Sequence, residues 1–277
     1  VSTLAAGATI RVGPGGFHNG SLQFRRFHQL GSVPVDLQLS TPSTLYFNEG
    51  TLFEAPLLYT AGSTFFNGSD CRSTVTGTSE RIYLHGGDFH GAVQLTRTGA
   101  GEEVSAGGNH YHGTFELMNV GTGGVYLAQD STDVHEADMV LSNTGGGNVR
   151  ICYSGAGELH VLHGARMRIG ALGFPAGLLQ LRNVKHFDTA PTPLVLGNTA
   201  TVQLREGTVF HGPLQLESGR LTITQSRFLG ELQATKSGGG NDVSAGGNTY
   251  EARVVLRNTG PAVLYMAHSQ VDQYAAD

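Results

Sequence analysis

The sequence contains no tryptophan, only two cysteines and few charged side chains. Charged residues make up 14% of the 277 residues, and the formal net charge is −5. Lysine and arginine are spread along the chain and form no basic patch, so the composition does not predict a nucleic-acid-binding surface. Every apolar run is too short to cross a bilayer, so the sequence predicts no membrane insertion.

Glycine, in contrast, is abundant, with 41 residues. The glycines do not follow a Gly-X-Y period, which excludes a collagen-like chain. Regularly placed aliphatic residues argue against disorder. Glycine at short, even intervals is typical of a protein with many short strands joined by tight turns.

Apolar and polar residues alternate over short segments throughout the chain. Examples are residues 10–12, 22–24 and 35–39, which Gly13-Pro14-Gly15-Gly16 and Thr41-Pro42 separate. Alternation with a period of two predicts strands that bury one face, and glycine and proline mark the turns between them. We find no apolar stripe with helical spacing, so the sequence predicts an all-β protein.

One long segment occurs twice. Residues 94–128 align with residues 233–267 at an offset of 139 without a gap, and 16 of the 35 positions are identical. The identities include Val104–Asn109 against Val243–Asn248. Repetition at a fixed offset indicates a repeat architecture.

A shorter period runs inside the long one. An aromatic residue, usually followed by a small residue and an alternating segment, recurs in two groups: Phe66, Phe89 and Tyr111, then Phe187, Phe210, Phe228, Tyr250 and Tyr274. A repeat of about 22–23 residues, close to the mean interval here, is the length of one coil of a β-solenoid. Six such coils match the offset of 139, so the two periods agree. We therefore predict a parallel β-helix (β-solenoid) with about 22–23 residues per coil.

The predicted domain organisation is one continuous β-solenoid over residues 1–277, made of tandem repeats 1–138 and 139–277. Asp277 is equivalent to Asp138, so the chain is expected to be a window of a longer array. Residues 43–53 match residues 200–210 at an offset of 157 instead of 139. We interpret the difference between the two offsets as insertions in loops, which a solenoid tolerates.

Ten residues of the repeat are expected to form turns and stacks between coils. The turn residues should adopt positive φ angles, which glycine and asparagine tolerate best; they are Gly107, Gly108, Asn109, Gly246, Gly247 and Asn248. The stacking residues are expected to pack between coils; they are Tyr111, Tyr126, Tyr250 and Tyr265. Tyr126 and Tyr265 could also stack on sugars, but core or rim packing is the simpler interpretation.

Histidines invite a metal hypothesis. His110 and His112 alternate and should project from one strand face, as two metal ligands would. Their counterparts in the second copy are Thr249 and Glu251. A site that belonged to the repeat unit would occur in both copies, so we interpret these histidines as solvated surface residues. The sequence predicts no metal and no cofactor.

A second cluster, residues 130–138, could carry catalysis through its carboxylates. Asp133 and Asp138 recur in the second copy, whereas His135 and Glu136 do not. We interpret the cluster as a polar turn, so no catalytic residue is predicted and the protein is not expected to be an enzyme. Cys71 and Cys152 also lack counterparts, which favours free or small apolar residues over a disulfide.

The repeat also contains a sequence motif: Gly-Gly-Asn-x-Tyr, an alternating strand, Asn-x-Gly and a second strand. In residues 107–121 and 246–260 it resembles the repeats of very long secreted surface proteins of Bacteroidota. The resemblance implies an exported protein, a right-handed parallel β-helix and a role in surface fibres, adhesion or gliding.

The function expected on these grounds is a structural subunit or shaft segment of an extracellular filament or cell-surface adhesin. No cap is visible at either end, and free strand edges invite another unit. Its partners would be copies of itself end to end or further repeats of the same chain, with surface glycans as a further partner. The alternative is a polysaccharide-binding or polysaccharide-cleaving β-helix, which would place a carboxylate or aromatic cluster in one groove only.

Overall fold

A computed structural model describes residues 1–13 and 16–275. Over these residues the regular structure is entirely β, and none of them forms a helix long and apolar enough to cross a membrane. Pro14 and Gly15 of the predicted turn lie outside the described residues, as does Asp277 at the end of the predicted second repeat.

The strands are short because a turn interrupts the alternating pattern every few residues. Those of the first half are β1 (Ser2–Leu4), β2 (Arg11–Val12), β3 (Ser21–Phe24), β4 (Phe27–Gln29), β5 (Val35–Gln38), β6 (Thr44–Phe47), β7 (Leu52–Phe53), β8 (Leu57–Asn67), β9 (Asp70–Cys71), β10 (Val75–His85), β11 (Asp88–Phe89), β12 (Val93–Arg97), β13 (Glu103–Val104), β14 (His110–Tyr111), β15 (Phe115–Asn119), β16 (Val125–Leu127) and β17 (Asp133–His135). Those of the second half are β18 (Met139–Asn143), β19 (Asn148–Ile151), β20 (Leu159–Val161), β21 (Met167–Ile169), β22 (Ala176–Leu181), β23 (Val184–His186), β24 (Thr192–Val195), β25 (Thr199–Leu204), β26 (Val209–Phe210), β27 (Leu214–Ser218), β28 (Arg220–Ile223), β29 (Arg227–Phe228), β30 (Leu232–Lys236), β31 (Asp242–Val243), β32 (Thr249–Tyr250), β33 (Val254–Asn258), β34 (Leu264–Tyr265) and β35 (Gln273–Tyr274).

One parallel sheet runs the whole length of the described chain. This long sheet has 13 strands in the order β1-β4-β7-β9-β11-β14-β17-β20-β23-β26-β29-β32-β35. Because strands that follow one another in the sheet are separated by other strand segments, the chain completes one coil between them. All described strand pairs are parallel, so the backbone hydrogen bonds join each coil to the next along the axis.

Two further faces complete each coil. One face is the 10-stranded sheet, which includes β12, β15, β18 and β21 and is followed by the sheet β24-β27-β30-β33. The other includes β13-β16-β19-β22-β25-β28 and is followed by the pair β31-β34. The long strands β8 and β10 pair with each other over most of their length. The first part of β8 pairs with β5 and its second part with β6, whereas β10 pairs with β12 through its first part.

These sheets make the chain a β-solenoid of about 12 coils with about 22 residues per turn, which confirms the predicted fold. Coil length varies around that mean. One of the shortest coils runs from Phe53 to Cys71, and a much longer one runs from His135 to Val161. The chain makes six coils between Cys71 and Phe210, which are separated by the same offset as the two copies of the repeat.

The inward-facing residue of each strand in the long sheet forms a row, which we call the inner row. Its members are Leu4, Gln29, Phe53, Cys71, Phe89, Tyr111, His135, Val161, His186, Phe210, Phe228, Tyr250 and Tyr274. The prediction that Phe66 and Phe187 belong to the repeating aromatic row is therefore wrong. Phe66 lies in β8, where it pairs with Phe47 and Leu84, and Phe187 directly follows the true member, His186.

The match at an offset of 157 also has a different cause from the predicted loop insertions. Phe53 and Phe210 are both members of the inner row and lie seven coils apart, whereas Cys71 and Phe210 lie six coils apart. The segment from Phe53 to Cys71 forms a complete coil. The match between residues 43–53 and 200–210 therefore joins two coils that lie seven coils apart. The residues by which the offset of 157 exceeds 139 form one complete coil and are not insertions in several loops.

A single continuous core fills the solenoid. Like residues stack along it, and one column consists of Val125, Val149, Leu179, Val202 and Leu221. All five side chains are buried, with at most 3% of their surface exposed. Burial of each such side chain stabilises the fold by about 1.5–3 kcal/mol.

Candidate functional site

The repeated turn at residues 107–109 holds adjacent coils close together. Gly107 and Gly108 have φ angles of +91° and +79°, and Gly246 and Gly247 of the second copy have +95° and +75°. A Cβ atom on Gly107 would lie 2.3 Å from the carbonyl oxygen of Ser131 in the next coil. Both the backbone conformation and the close approach require glycine here.

Asn109 acts differently from the expectation. It does not have a positive φ, and the expected left-handed conformation belongs to the two glycines. Its buried side chain accepts a hydrogen bond from Gly87 N at 2.9 Å and donates one to Asp133 Oδ1 at 2.9 Å. Asn109 therefore bridges the coil before it and the coil after it.

The same bridge recurs in the second copy. Asn248 accepts from Ser226 N at 3.0 Å and donates to Asp272 Oδ1 at 3.0 Å. Burial raises the pKa of Asp133 to about 7, although the backbone and side-chain N–H groups of Asn109 oppose the shift. The bridge is thus part of the buried structure and not an open polar site.

Other buried polar residues join the coils in the same repeated way. Glu103 accepts a hydrogen bond from Ile82 N at 3.0 Å, and Asp242 accepts one from Leu221 N at 2.8 Å. Ser105 accepts from Leu84 N at 3.1 Å, and its counterpart, Ser244, from Ile223 N at 3.0 Å. Each acceptor satisfies a backbone N–H group that would otherwise be buried without a partner.

Tyr111 and Tyr250 lie in the inner row and are 1% exposed. The ring of Tyr111 stacks on Phe89 at a centroid distance of 5.2 Å, and the ring of Tyr250 stacks on Phe228 at 5.4 Å. Both tyrosines are therefore coil-stacking core residues and cannot present a ring face to a ligand.

His135 continues this stack, with its ring 4.5 Å from that of Tyr111. Burial, with a smaller contribution from His110, lowers the pKa of His135 from 6.5 to about 3. The imidazole of His135 is protonated near pH 6.5 in the unfolded chain, but in the folded chain it stays neutral down to about pH 3. Stability is therefore lost as the pH falls from 6.5 towards 3.

We expect the His135→Phe substitution to reduce this acid sensitivity. Between pH 8 and pH 5 the wild type should lose about 2 kcal/mol of unfolding free energy through His135, since one pKa unit corresponds to about 1.4 kcal/mol, and the variant should not show this loss. Urea unfolding at both pH values measures the difference. His268→Phe, at an exposed position, is the control. An equal effect of His135→Phe at both pH values would contradict the prediction.

The other two predicted stacking residues differ from each other. Tyr126 is 6% exposed and its outward ring is covered by Arg150, whose Cζ lies 5.2 Å from the ring centroid. Tyr265 is 45% exposed in the last coils of the described chain. Tyr126 therefore packs at the rim of the solenoid, while the ring of Tyr265 is partly open to solvent.

Aromatic residues that the sequence analysis did not single out form a ladder on an outer face. Tyr46, Phe65 and Tyr83 stack at centroid distances of 4.8 Å and 4.2 Å. Both faces of the central ring are covered by its neighbours, so it offers mainly an edge. Sugar stacking needs an open ring face, which Phe65 does not have.

A cluster of titratable groups lies on the outer face of the long sheet, beside the inner row. Asp88 and His110 are paired residues in β11 and β14, and His112 and Glu136 follow β14 and β17. We call these four residues the histidine–carboxylate cluster. They are partly exposed, with 28–46% of each side chain accessible.

Short contacts connect the members of the cluster. His112 Nε2 lies 3.0 Å from Asp88 Oδ1, and His112 Nδ1 lies 2.9 Å from Glu136 Oε2. His110 Nε2 lies 2.8 Å from the other oxygen of Glu136. The hydrogen bond with Glu136 is the largest cause of a raised pKa of His112, and hydrogen bonds from His112 and His110 lower the pKa of Glu136.

The polar side chains of segment 130–138 are divided between the two faces of the sheet. Asp133 and His135 point into the core, while Glu136 belongs to the outer cluster. Asp138 forms an ion pair with Arg168. The alternation of the strand thus sends neighbouring polar residues to opposite sides of the sheet.

Cys71 and Cys152 are both buried free thiols, as the repeat comparison favours. Burial raises the pKa of each to about 12. Neither is therefore a reactive thiolate at neutral pH.

Sequence reasoning placed His110 and His112 on one face and missed their carboxylate partners. Asp88 lies one coil before His110, and Glu136 lies one coil after His112. One coil of 22 residues before His110 reaches Asp88, so this partner could have been found from the sequence, whereas Glu136 lies 24 residues after His112 and outside the predicted coil length of 22–23 residues.

The continuous parallel ladder and the repeated bridges between coils place the chain in the class of tandem-repeat β-solenoid proteins. No protein-family model, curated protein or solved structure matches it.

Proposed function

We propose that the protein is a structural segment of an extracellular filament or cell-surface adhesin shaft, in which coils of one unit continue into those of the next. The observation that carries this proposal is that the long repeat preserves the buried hydrogen bonds between coils. Asn109 and Asp133, for example, have the same geometry as Asn248 and Asp272. These hydrogen bonds join adjacent coils of the solenoid.

The outward residues of the histidine–carboxylate cluster differ between the two copies, whereas the buried Asn–Asp bridge is the same in both. The positions of Asp88, His112 and Glu136 hold Arg227, Glu251 and Ala275 in the second copy. A ligand-binding or catalytic repeat would preserve its outward groups as well as the buried ones. A shaft only needs coils that stack, which supports the structural function over the polysaccharide alternative.

The last described coils expose residues of the kind that other coils bury. Tyr274 belongs to the inner row but is 61% exposed, with one ring face on Tyr250 at 5.0 Å. A second copy stacked on this edge would place its Leu4 next in the row. Such a head-to-tail contact uses two different surfaces, and along the axis of a rod it adds copies in an open filament and not in a closed ring.

Electron microscopy and fibre diffraction of the purified chain test the proposal. We expect filaments with a spacing of about 4.8 Å between coils and a super-repeat of about 29 Å from six coils. Particles of a single 29.2 kDa chain at all concentrations, checked by analytical ultracentrifugation, would contradict it.

A pair of variants separates assembly from folding. The register of β33 on β30 directs the N–H group of Leu256 away from β30, towards the open edge. Leu256→Pro removes this donor and should abolish filaments while the monomer stays folded. Leu256→Ala keeps the donor and should still assemble. Filaments formed equally by both variants would exclude this edge as the contact.

A further inference from the structure

The histidine–carboxylate cluster has a charge problem that hydrogen bonds alone do not solve. Both nitrogens of His112 face carboxylate oxygens, at 3.0 Å from Asp88 and 2.9 Å from Glu136. A neutral imidazole carries only one N–H group, so one of these contacts places a nitrogen lone pair against an anion. The arrangement needs a cation, which is either a second proton on His112 or a metal ion.

The three potential ligands lie close together. One ligand atom each of Asp88, His110 and His112 can be chosen so that all three lie within 4.8 Å of one another. In a tetrahedral zinc site the ligand atoms are about 3.3 Å apart, since Zn–N bonds are about 2.0 Å long. The side chains are partly exposed, so small rotations bring them to this spacing and a metal reaches them from solvent.

Glu136 occupies the place of an outer partner. With a metal between His112 Nε2 and Asp88, Nδ1–H of His112 donates to Glu136, and the same carboxylate accepts from His110. Metal-binding histidines commonly donate their other N–H to a carboxylate, which fixes the tautomer and the ring orientation. His90 adds support by stacking on His112 at 4.6 Å, with its Nε2 3.4 Å from Asp88 Oδ2 and 3.7 Å from Asp70 Oδ1.

We propose that Asp88, His110 and His112 bind one divalent transition-metal ion of the Zn²⁺ type, that Glu136 orients the two histidines, and that water completes the coordination. Two imidazoles and one carboxylate suit Zn²⁺ and disfavour Ca²⁺ or Mg²⁺, which prefer oxygen ligands alone. Because the ligands come from adjacent coils, and Glu136 from a third, the ion clamps successive coils from the outside.

The second copy shows what replaces the clamp. At the positions of Asp88 and His112 it carries Arg227 and Glu251, whose side chains form an ion pair with Arg227 Nη2 2.5 Å from Glu251 Oε1. An Arg–Glu pair joins neighbouring coils without a metal. The two copies thus use different chemistry for one task, so the metal site belongs to the first copy only.

Metal titration of the tag-free full chain, stripped with a chelator beforehand, tests the proposal with Zn²⁺ and Co²⁺ as probes. We expect one Zn²⁺ per chain with micromolar or tighter affinity, visible d–d absorption bands with Co²⁺, and a higher midpoint of thermal unfolding. The double variant His110→Thr/His112→Gln should weaken binding at least tenfold and lose the Co²⁺ bands. Circular dichroism without metal checks that it folds.

Two further variants sharpen the result. Glu136→Ala, which introduces the residue type of Ala275, should weaken binding about tenfold and retain the Co²⁺ bands, as a positioning residue would. His160→Thr/His163→Gln removes two other histidines near the same face and should leave binding unchanged. Equal metal binding by the wild type and the His110/His112 variant, or no binding by the wild type, would overturn the proposal.

Discussion

Replacing Arg97 by methionine should lower the free energy of unfolding by about 3–5 kcal/mol, the range for breaking a buried ion pair. The Arg97 side chain is fully buried, with its Nε 3.0 Å from Glu103 Oε2. Its Nη1 donates to Asn119 Oδ1 at 2.9 Å and to Gly123 O at 3.0 Å, and its Nη2 donates to Gly101 O. Methionine fills a similar volume, so the loss comes from charge and hydrogen bonds.

The substitution leaves Glu103 without its counter-charge. Burial already raises the pKa of Glu103, and Arg97 is the strongest group that opposes the shift. In the variant Glu103 must either stay ionised in the core or take up a proton. Adding Glu103→Gln, which retains an acceptor for Ile82 N, should therefore recover at least half of the loss.

Lys236→Met is the matched control, because Lys236 occupies the position of Arg97 in the second copy. Lys236 is also buried, but it donates to Gly238 O at 2.6 Å, and Asp242 has a separate partner in Arg220 at 2.9 Å. Its loss should be clearly smaller. Chemical denaturation measures all four proteins. Equal losses at Arg97 and Lys236, or a double variant as unstable as Arg97→Met, would contradict the ion-pair explanation.

The second large effect is expected at Gly147, where Ala should cost about 3 kcal/mol or more by overpacking. A Cβ atom there would lie 2.1 Å from the carbonyl oxygen of Gly123 and 2.9 Å from that of Thr122. Both obstacles are backbone atoms of the preceding coil, which cannot rotate away. Relief requires the coils to separate, so hydrogen bonds of the neighbouring strands should weaken as well.

The adjacent residue provides the control. Gly146 has a φ of +76°, and no atom lies within 4 Å of the position that a Cβ atom would take. Gly146→Ala should cost only about 1 kcal/mol, the strain of a left-handed alanine. Urea unfolding of both variants, with hydrogen exchange of β16 and β19, gives the comparison. If Gly146→Ala proved as harmful as Gly147→Ala, backbone conformation and not coil spacing would explain the glycine content.

The strands and their grouping into coils could be predicted from the sequence. Alternation identified segments such as Val35–Leu39, and the offset between the two copies matches six coils of the structure. The prediction succeeds because a parallel ladder places equivalent residues directly above one another. Strands that bury every second residue also show an alternating apolar and polar pattern along the sequence.

The phase of individual coils could not be predicted as well. Short coils such as that ending at Cys71 and long ones such as that ending at Val161 differ in their turns, and turns carry no alternating pattern. A shift of one residue moves a side chain to the other face of a strand. This is why His186 lies in the inner row while Phe187, the more apolar residue, lies outside it.

The sequence by itself therefore determined the all-β solenoid, its coil length and the residues that recur between the two copies, because these depend on periodicities along the chain. Only the tertiary structure decided that Asn109 bonds Asp133 instead of adopting a left-handed turn, and that His112 lies between Asp88 and Glu136. Those contacts join residues one coil apart, and their geometry depends on the register and side-chain direction of neighbouring strands.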